Sequence, residues 1–354
     1  MIARNTRRHD GPGRLRVGLM GAGRVARRFH LPILASLPEV ELVAVADPAA
    51  DARGACRTLA PRAELRTDFA ELLASTPLDA VVICLPPALH ARAAVASFAR
   101  GLHVYVEKPL ATSAGEAREA LDAWRRAGSV GMVGFNSRFH PLALALKDAL
   151  AGGRVGAVTT IRSTFCAARR ALPDWKRERG TGGGALLDLA SHQVDLVRFL
   201  VGAEVVEVST LVRSVHSEGD TAVTALRLSS GPLVSLCTSL AAVEEDRLEV
   251  NGTRGQLVLD RYRSSALQQM PERRDFRRPA RLRSALATLG RMPGTLRDAA
   301  FPPRDRTFAL ALGAFVAAIR GRRPAAPDLD DGMASLAVVL AAERSAREGV
   351  VVAP

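Results

Sequence analysis

Lysine is almost absent from this chain. Of 49 basic side chains only Lys108, Lys147 and Lys176 are lysines, and the remainder are arginines. Arginine keeps its proton in any protein environment, so a lysine retained against this bias invites the chemistry of a compact ammonium. Cysteine is scarce as well. Cys56, Cys84, Cys166 and Cys237 are far apart, with no CxxC pair and no metal-ligand spacing. That pattern excludes a disulfide scaffold or a zinc module and fits buried thiols in a reducing cytoplasm. Aromatics make up 4% of the chain, too few to interleave with arginines as a stacking surface for bases. The apolar stretch Phe308–Ile319 falls well short of the ~20 residues that span a bilayer. No apolar run follows the N-terminal arginines, so neither a signal peptide nor a membrane anchor is expected, and the expected location is cytoplasmic.

The 354 residues, 48% hydrophobic, suit two domains that each bury a core. The net charge of +13 is unevenly placed. Residues 1–28 hold eight Arg against one Asp, residues 261–306 hold twelve Arg against four acids, and the rest is close to neutral. Charge confined to a tail and one segment argues against a nucleic-acid surface. It fits attraction of a small anionic molecule.

Residues 1–13 are polar and Gly/Pro-containing and are expected to be disordered. Strands and helices then alternate. Strands are predicted at Leu15–Met20, Val40–Ala46, Ala80–Leu85, Leu102–Val106 and Val130–Phe135, with helices at Arg24–Leu37, Asp68–Ala74, Ala88–Arg100 and Ser113–Ala127. Such alternation predicts a doubly wound parallel α/β sheet, assigned to residues 14–136. From residue 137 to 354 the pattern becomes α+β. A helix from the glycine run at 182–184 to about Val201 precedes strand-like segments from Val205 to Leu259, which predict a large, mainly antiparallel open sheet. The stretch 263–306 reads as a basic irregular segment, followed by helices at about 307–320 and 330–348.

Gly21-Ala22-Gly23-Arg24-Val25-Ala26 follows the first strand and opens the first helix. This is the GxGxxA turn of a dinucleotide site. The first glycine permits the turn, the second lets the backbone approach a pyrophosphate, and the helix N-terminus faces the phosphates. Asp47 ends the second strand, where a carboxylate accepts hydrogen bonds from a ribose 2′-hydroxyl and repels a 2′-phosphate, so NAD is expected over NADP. Arg53 lies six residues on, after the Pro48-Ala49-Ala50 turn, and together with Arg24 it could oppose this preference if the loop folds back.

Lys108 ends an apolar strand and is stopped by Pro109, so it points at the crevice where α/β proteins bind ligands. Leu85, Pro86 and His90 follow another strand at the same edge and are candidate cofactor contacts, although His90 could equally be a helix residue with no role. Asn136 and Arg138 could line the cleft, and Trp175 could wall it or fill core. Asp188, His192 and Asp195, spaced i, i+4, i+7, share one face of an ideal helix. A carboxylate one turn from a histidine can orient the ring for general-base work. A metal reading of the same residues lacks a supporting cluster of ligands, so no metal is expected. A Tyr-x-x-x-Lys pair is missing, which excludes a short-chain dehydrogenase.

Together these segments resemble the glucose-fructose oxidoreductase/inositol dehydrogenase (Gfo/Idh/MocA) family over about residues 14–350. The motifs that carry the resemblance are Gly21-Ala22-Gly23, Asp47, Pro86 to His90, Glu107-Lys108-Pro109, Gly134-Phe135-Asn136, Gly182 to Asp188 with His192 and Asp195, and Asn251 to Gly255. The resemblance implies that Lys108 is the catalytic lysine, Asp188 a substrate-binding acid and His192 the acid/base. It places Gly21, Gly23, Arg24, Val25, Asp47, Leu85, Pro86, His90, Glu107, Lys108 and Asn136 on NAD, with Arg138, Trp175 and Asp188 toward the substrate. It further implies an NAD-dependent dehydrogenase for a polyol, sugar or nucleotide sugar, and a homodimer or homotetramer formed through the C-terminal sheet. The chain departs from the family pattern at Leu85, usually Thr, and at Ala190, commonly Gly. The same fold and cofactor also serve glycosidases that oxidise a sugar transiently and reduce it again, and that alternative stays open. A non-catalytic cofactor sensor has no need of Lys108, Asp188 and His192.

Overall fold

The computed structural model describes residues 13–169, 173–272 and 305–354. Six parallel strands form the first sheet: β1 (Leu15–Met20), β2 (Val40–Ala46), β3 (Glu64–Arg66), β4 (Ala80–Ile83), β5 (His103–Val106) and β6 (Gly131–Val133). Their order is β3-β2-β1-β4-β5-β6. The order reverses between β1 and β4, and the crevice beyond their carboxyl ends is where such sheets bind ligands. β1, β4 and β5 are almost entirely buried, as strands covered on both faces must be. Helix Ala114–Ala127 starts at Ser113, whose side chain accepts the Glu116 N–H, and ends at Gly128 in the left-handed region.

The second sheet has seven strands, β7 (Val158–Cys166), β8 (Val205–Arg213), β9 (Thr221–Leu228), β10 (Leu233–Ser239), β11 (Glu245–Gly252), β12 (Gly255–Asp260) and β13 (Gln268–Pro271). Their order is β13-β12-β11-β7-β10-β9-β8. Only the β7–β10 pair is parallel. Alternation in β9 buries Ala222, Thr224, Leu226 and Leu228 and exposes Val223, Ala225 and Arg227. The inner face packs on helices Pro141–Ala151, Ser191–Val201 and Leu329–Glu348 in one apolar cluster that continues into the first sheet. The outer face is open.

Two differences bear on how the domains are built. Residues 268–271, read as irregular, form the edge strand β13, because β12 presents a free edge that backbone pairing satisfies without any apolar pattern; residues 273–304 lie outside the described residues. Helix Thr307–Arg320, which follows the second sheet in sequence, returns to the nucleotide-type domain. Its Ala311, Leu312 and Phe315 pack with Leu19, Leu31 and Tyr105.

A buried ion network joins helix Ser191–Val201 to its surroundings. Arg138 donates from Nε and Nη2 to the two Asp195 oxygens at 2.8 and 2.6 Å and from Nη1 to Asp331 at 3.0 Å. Asp195 is 0% exposed. Burial pushes its carboxyl up to about 6, against the pull of Arg138. Removing the guanidinium would leave an uncompensated buried charge. Arg138→Met is expected to lower stability by about 3–5 kcal/mol, read from the midpoint of urea unfolding. A shift under 1 kcal/mol would show that the network is dispensable.

Candidate active site

The carboxyl edge of the first sheet collects the dinucleotide motif. Gly21 has φ +91°, and a Cβ there would stand 2.5 Å from the Cys84 carbonyl oxygen. Glycine is therefore required by conformation and by space. A Cβ at Gly23 would meet nothing within 4 Å, so this backbone faces open room. Arg24 is exposed beside it, and Val25 is 43% exposed although apolar. A single π-turn, Ala26–His30, leads into the helix Leu31–Ser36.

Asp47 ends β2 with both oxygens directed at backbone N–H groups. Oδ2 accepts from Ala22 at 2.7 Å and Oδ1 from Ala49 at 2.9 Å. A carboxylate has about four acceptor sites, so two stay available. Arg53 is not on a loose turn. It sits in the helix Ala50–Cys56 and donates to the Asp47 carbonyl at 2.6 Å and the Pro48 carbonyl at 2.9 Å.

Lys108 follows β5 and reaches across to the second domain. Its Nζ donates to the Asp188 carbonyl at 2.6 Å and to Asp188 Oδ1 at 2.8 Å. A second ammonium meets the same carboxylate: Lys176 Nζ donates to Oδ2 at 2.7 Å. Two of the three lysines thus converge on one acid. Burial raises the Asp188 pKa, but the two ammoniums outweigh it and hold the carboxyl well below its usual range. Lys176 escaped the sequence reading. The scarcity that singled out Lys108 applied to it equally, and that was the available signal.

Asp188 lies in a π-turn, Leu186–Ala190, whose i→i+5 bond from Ser191 N–H to the Leu186 carbonyl adds one residue to the turn. The stripe expected from a regular helix is therefore broken. Asp188 faces the two lysines, while Asp195 is turned inward onto Arg138. No hydrogen bond joins Asp188 to His192, so the carboxylate does not orient the ring as expected; both of its oxygens are on ammoniums. His192 lies between the rings of Phe135 and Phe165 at 6.4 and 6.0 Å. Its Nδ1 is enclosed and without a partner, whereas Nε2 is not among the enclosed atoms and the residue is half-buried. Burial, then the nearby Lys108 charge, lower its pKa well below the ordinary value, so the imidazole is neutral at physiological pH.

Other expected contacts fall elsewhere. His90 is 1% exposed. Its ring nitrogens face the Pro109 and Leu85 carbonyls, both at 2.7 Å, so the side chain straps the ends of β4 and β5 together and does not reach the cleft. Arg138, expected near substrate, is consumed by the buried network. Asn136 Nδ2 donates to Thr307 Oγ1 at 3.2 Å, docking the returning helix. Glu107 Oε1 meets His30 Nε2 at 2.6 Å, and Oε2 accepts from Lys108 N at 3.3 Å. Pro86 caps the turn Pro87–Leu89, and Leu85 is half-buried behind it. Trp175 is half-buried next to Lys176, whose Nζ is 5.3 Å from a ring centroid. A cavity of about 650 Å³ opens at the opposite edge of the sheet, lined in part by Arg100, Arg125, Arg322 and Arg323. Helices end there, and arginines complement those carboxyl ends.

Comparison with known proteins follows the same two-part layout. Residues 15–135 match an oxidoreductase family's NAD-binding Rossmann fold, and residues 147–353 match that family's C-terminal alpha/beta domain. The chain is 30% identical over 344 residues to inositol 2-dehydrogenase of Rhizobium meliloti, covering 94% of this chain and 97% of that protein. It is 28% identical to levoglucosan dehydrogenase of Pseudarthrobacter phenanthrenivorans, over 74% of this chain and 79% of the other. In structure it resembles a putative myo-inositol dehydrogenase from Sinorhizobium meliloti 1021, with TM-score 0.77, 26% identity, and coverage of 96% and 99%. The fold also matches the WlbA dehydrogenase of Bordetella pertussis, solved with NADH and UDP-GlcNAcA, with TM-score 0.81, 24% identity, and coverage of 97% and 98%.

The two glycines of the turn separate folding from binding. Gly21→Ala is expected to destabilise the protein by about 2 kcal/mol or more, since strain and overlap add. Gly23→Ala is expected to leave the melting temperature within a few degrees while weakening NADH binding at least tenfold by calorimetry. Equal NADH affinity in Gly23→Ala and wild type would remove the turn from the cofactor site.

Proposed function

The chain belongs to the Gfo/Idh/MocA oxidoreductase family, and from that premise we propose that it is an NAD-dependent dehydrogenase acting on a secondary alcohol of a polyol, sugar or sugar derivative. The observation that carries this reading is the Lys108–Asp188 pair beside a neutral His192, at the sheet edge that also holds the glycine turn. The residues present fit NAD. The backbone at Gly23 has room for a pyrophosphate, Val25 offers an uncovered apolar contact, and Asp47 retains acceptor capacity for ribose hydroxyls. Bound there, NAD supplies the hydride acceptor.

The chain's own groups handle the proton and the charge. His192, neutral, takes the hydroxyl proton at Nε2. Lys108 has one ammonium hydrogen not directed at Asp188, and it donates to the reacting oxygen as negative charge develops there. Asp188 keeps acceptor capacity for a neighbouring hydroxyl, so it orients the substrate while holding Lys108. Its ionised state does not depend on pH in the working range, because its pKa is held so low.

A second copy of the chain is the partner that fits the open face of the C-terminal sheet. Leu211, Val223 and Leu233 are exposed there. They are interleaved with the ion pairs Arg162–Glu249 and Arg227–Glu207, so the face is less apolar than strand alternation alone predicts.

Two measurements test the proposal. In the direction of alcohol oxidation, the acidic limb of kcat/KM is expected below pH 6.5, because His192 must be unprotonated and its pKa is lowered. Lys108→Ala is expected to reduce kcat by roughly a hundredfold or more and to move that limb upward, since a cation near His192 is lost. Retained kcat, or a limb above pH 7 in wild type, would defeat the mechanism. Light scattering at micromolar concentration is expected to give a dimer or tetramer, and a mass of 37.6 kDa would refute self-association.

A further inference from the structure

Lys176 is held too firmly to be a wandering surface lysine. It ends the short turn Asp174–Lys176. Thr181 Oγ1 donates to the Trp175 carbonyl at 2.8 Å and fastens that turn to the glycine run. A Cβ at Gly183 would collide with the Lys176 carbonyl oxygen, so the run lets the turn approach closely. The Lys176 side chain is 18% exposed, with its Nζ on the half-hidden carboxylate that Lys108 also meets.

The hydrogen bonds at the two ammoniums do not balance. Each ammonium has three hydrogens to donate. Lys108 directs two at Asp188. Lys176 directs one, to Oδ2, and Asp188 is its one ion-pair partner among the described residues. Two donors at Lys176 and one at Lys108 are left for whatever enters. The charges do not balance either. Two ammoniums share one carboxylate, His192 is neutral, and Glu107 is turned onto His30.

An arginine at position 176 would behave differently, and this molecule shows how. Arg138 grips Asp195 with two donors of its planar fork and spends a third on Asp331. A compact ammonium instead touches the acid with one hydrogen and radiates the others. In a chain with three lysines among 49 basic side chains, a lysine here fits a group that must bind an acid and a ligand at once.

Resting on the dehydrogenase reading above, we propose that Lys176 is a specificity-determining residue and that the cleft takes a carboxylated sugar derivative, a uronic or aldonic acid. The substrate carboxylate accepts the two free Lys176 hydrogens and offsets the surplus charge. Lys108 meanwhile serves the reacting hydroxyl, and the two ammoniums bridge one carboxylate, so the two substrate groups lie close together on one sugar.

Calorimetry on the NADH-saturated full chain tests this without relying on turnover. The probes are matched pairs: D-glucuronate with D-glucose, D-galacturonate with D-galactose, and D-gluconate with D-glucitol. At least one acid is expected to bind tenfold or more tightly than its neutral counterpart. Lys176→Met is expected to erase that preference, and Lys176→Arg to keep part of it; the melting temperature of each variant reports whether it is folded. If no acid is preferred by wild type, or if the preference survives in Lys176→Met, the proposal is overturned. NAD reduction across the same panel is scored separately. Its absence speaks against the dehydrogenase reading, whereas acid preference in binding speaks to Lys176 alone.

Discussion

Asp188 is a carboxylate that burial would neutralise and two ammoniums keep charged. The rest of the cleft depends on that balance. Lys108 comes from the end of a parallel strand in the first domain, and Lys176 from a turn in the second. Their shared acid therefore ties the two domains together at the point where a substrate would react. An ion left without its partner inside a protein costs several kcal/mol, so the arrangement is cooperative: moving one member exposes the others to that cost. The neutral state of His192 has the same origin. Burial and the Lys108 charge act in one direction on it and outweigh the opposing charge of Asp188. One ion cluster thus sets the charge of this cleft and helps keep the imidazole neutral.

The helix that carries Asp188 also carries Asp195, and the two acids meet opposite fates. Asp195 is gripped by a bidentate guanidinium, which spends a third donor on Asp331. Asp188 is met by two point charges, which leave donors over. Arginine and lysine are not exchangeable in these roles. The π-turn at Leu186–Ala190 is what allows one helix to serve both, because its extra residue rotates Asp188 away from the face that Asp195 occupies.

Much of this was legible in the chain itself. The boundaries of β1 and β2 coincide with their apolar runs, and the nucleotide turn, Lys108 and the Asp188/His192 spacing all stood out. What escaped notice lacked a local signal. β3 is three residues, Glu64–Arg66, and is defined by pairing with β2 and not by pattern. Helix Ala50–Cys56 is short and polar, and helix Pro141–Ala151 was masked by its Pro start, although proline is favoured at a first helical position. β13 exists because an edge was available. The fates of His90, Asn136 and Arg138 are tertiary: a polar residue after a strand reads the same whether it turns toward the cleft or into the core. Lys176 is the opposite case, since composition alone had marked it.

Asp47 shows why a residue read from spacing can have more than one function. Its carboxylate does not wait idle for a ribose; it accepts the Ala22 N–H inside the glycine turn, so it also fixes the loop that would cradle the pyrophosphate. Arg53, the nearest candidate for neutralising a 2′-phosphate, is committed to the Asp47 and Pro48 carbonyls. Those bonds hold the guanidinium against the backbone at the very end of β2. Both bonds leave from Nη1, and a 2′-phosphate arriving here would meet the Asp47 carboxylate, whose like charge opposes it. This strand end therefore carries a carboxylate with acceptor capacity left over and a guanidinium whose Nη1 is held by the backbone. The short helix Ala50–Cys56 brings Arg53 back onto the strand.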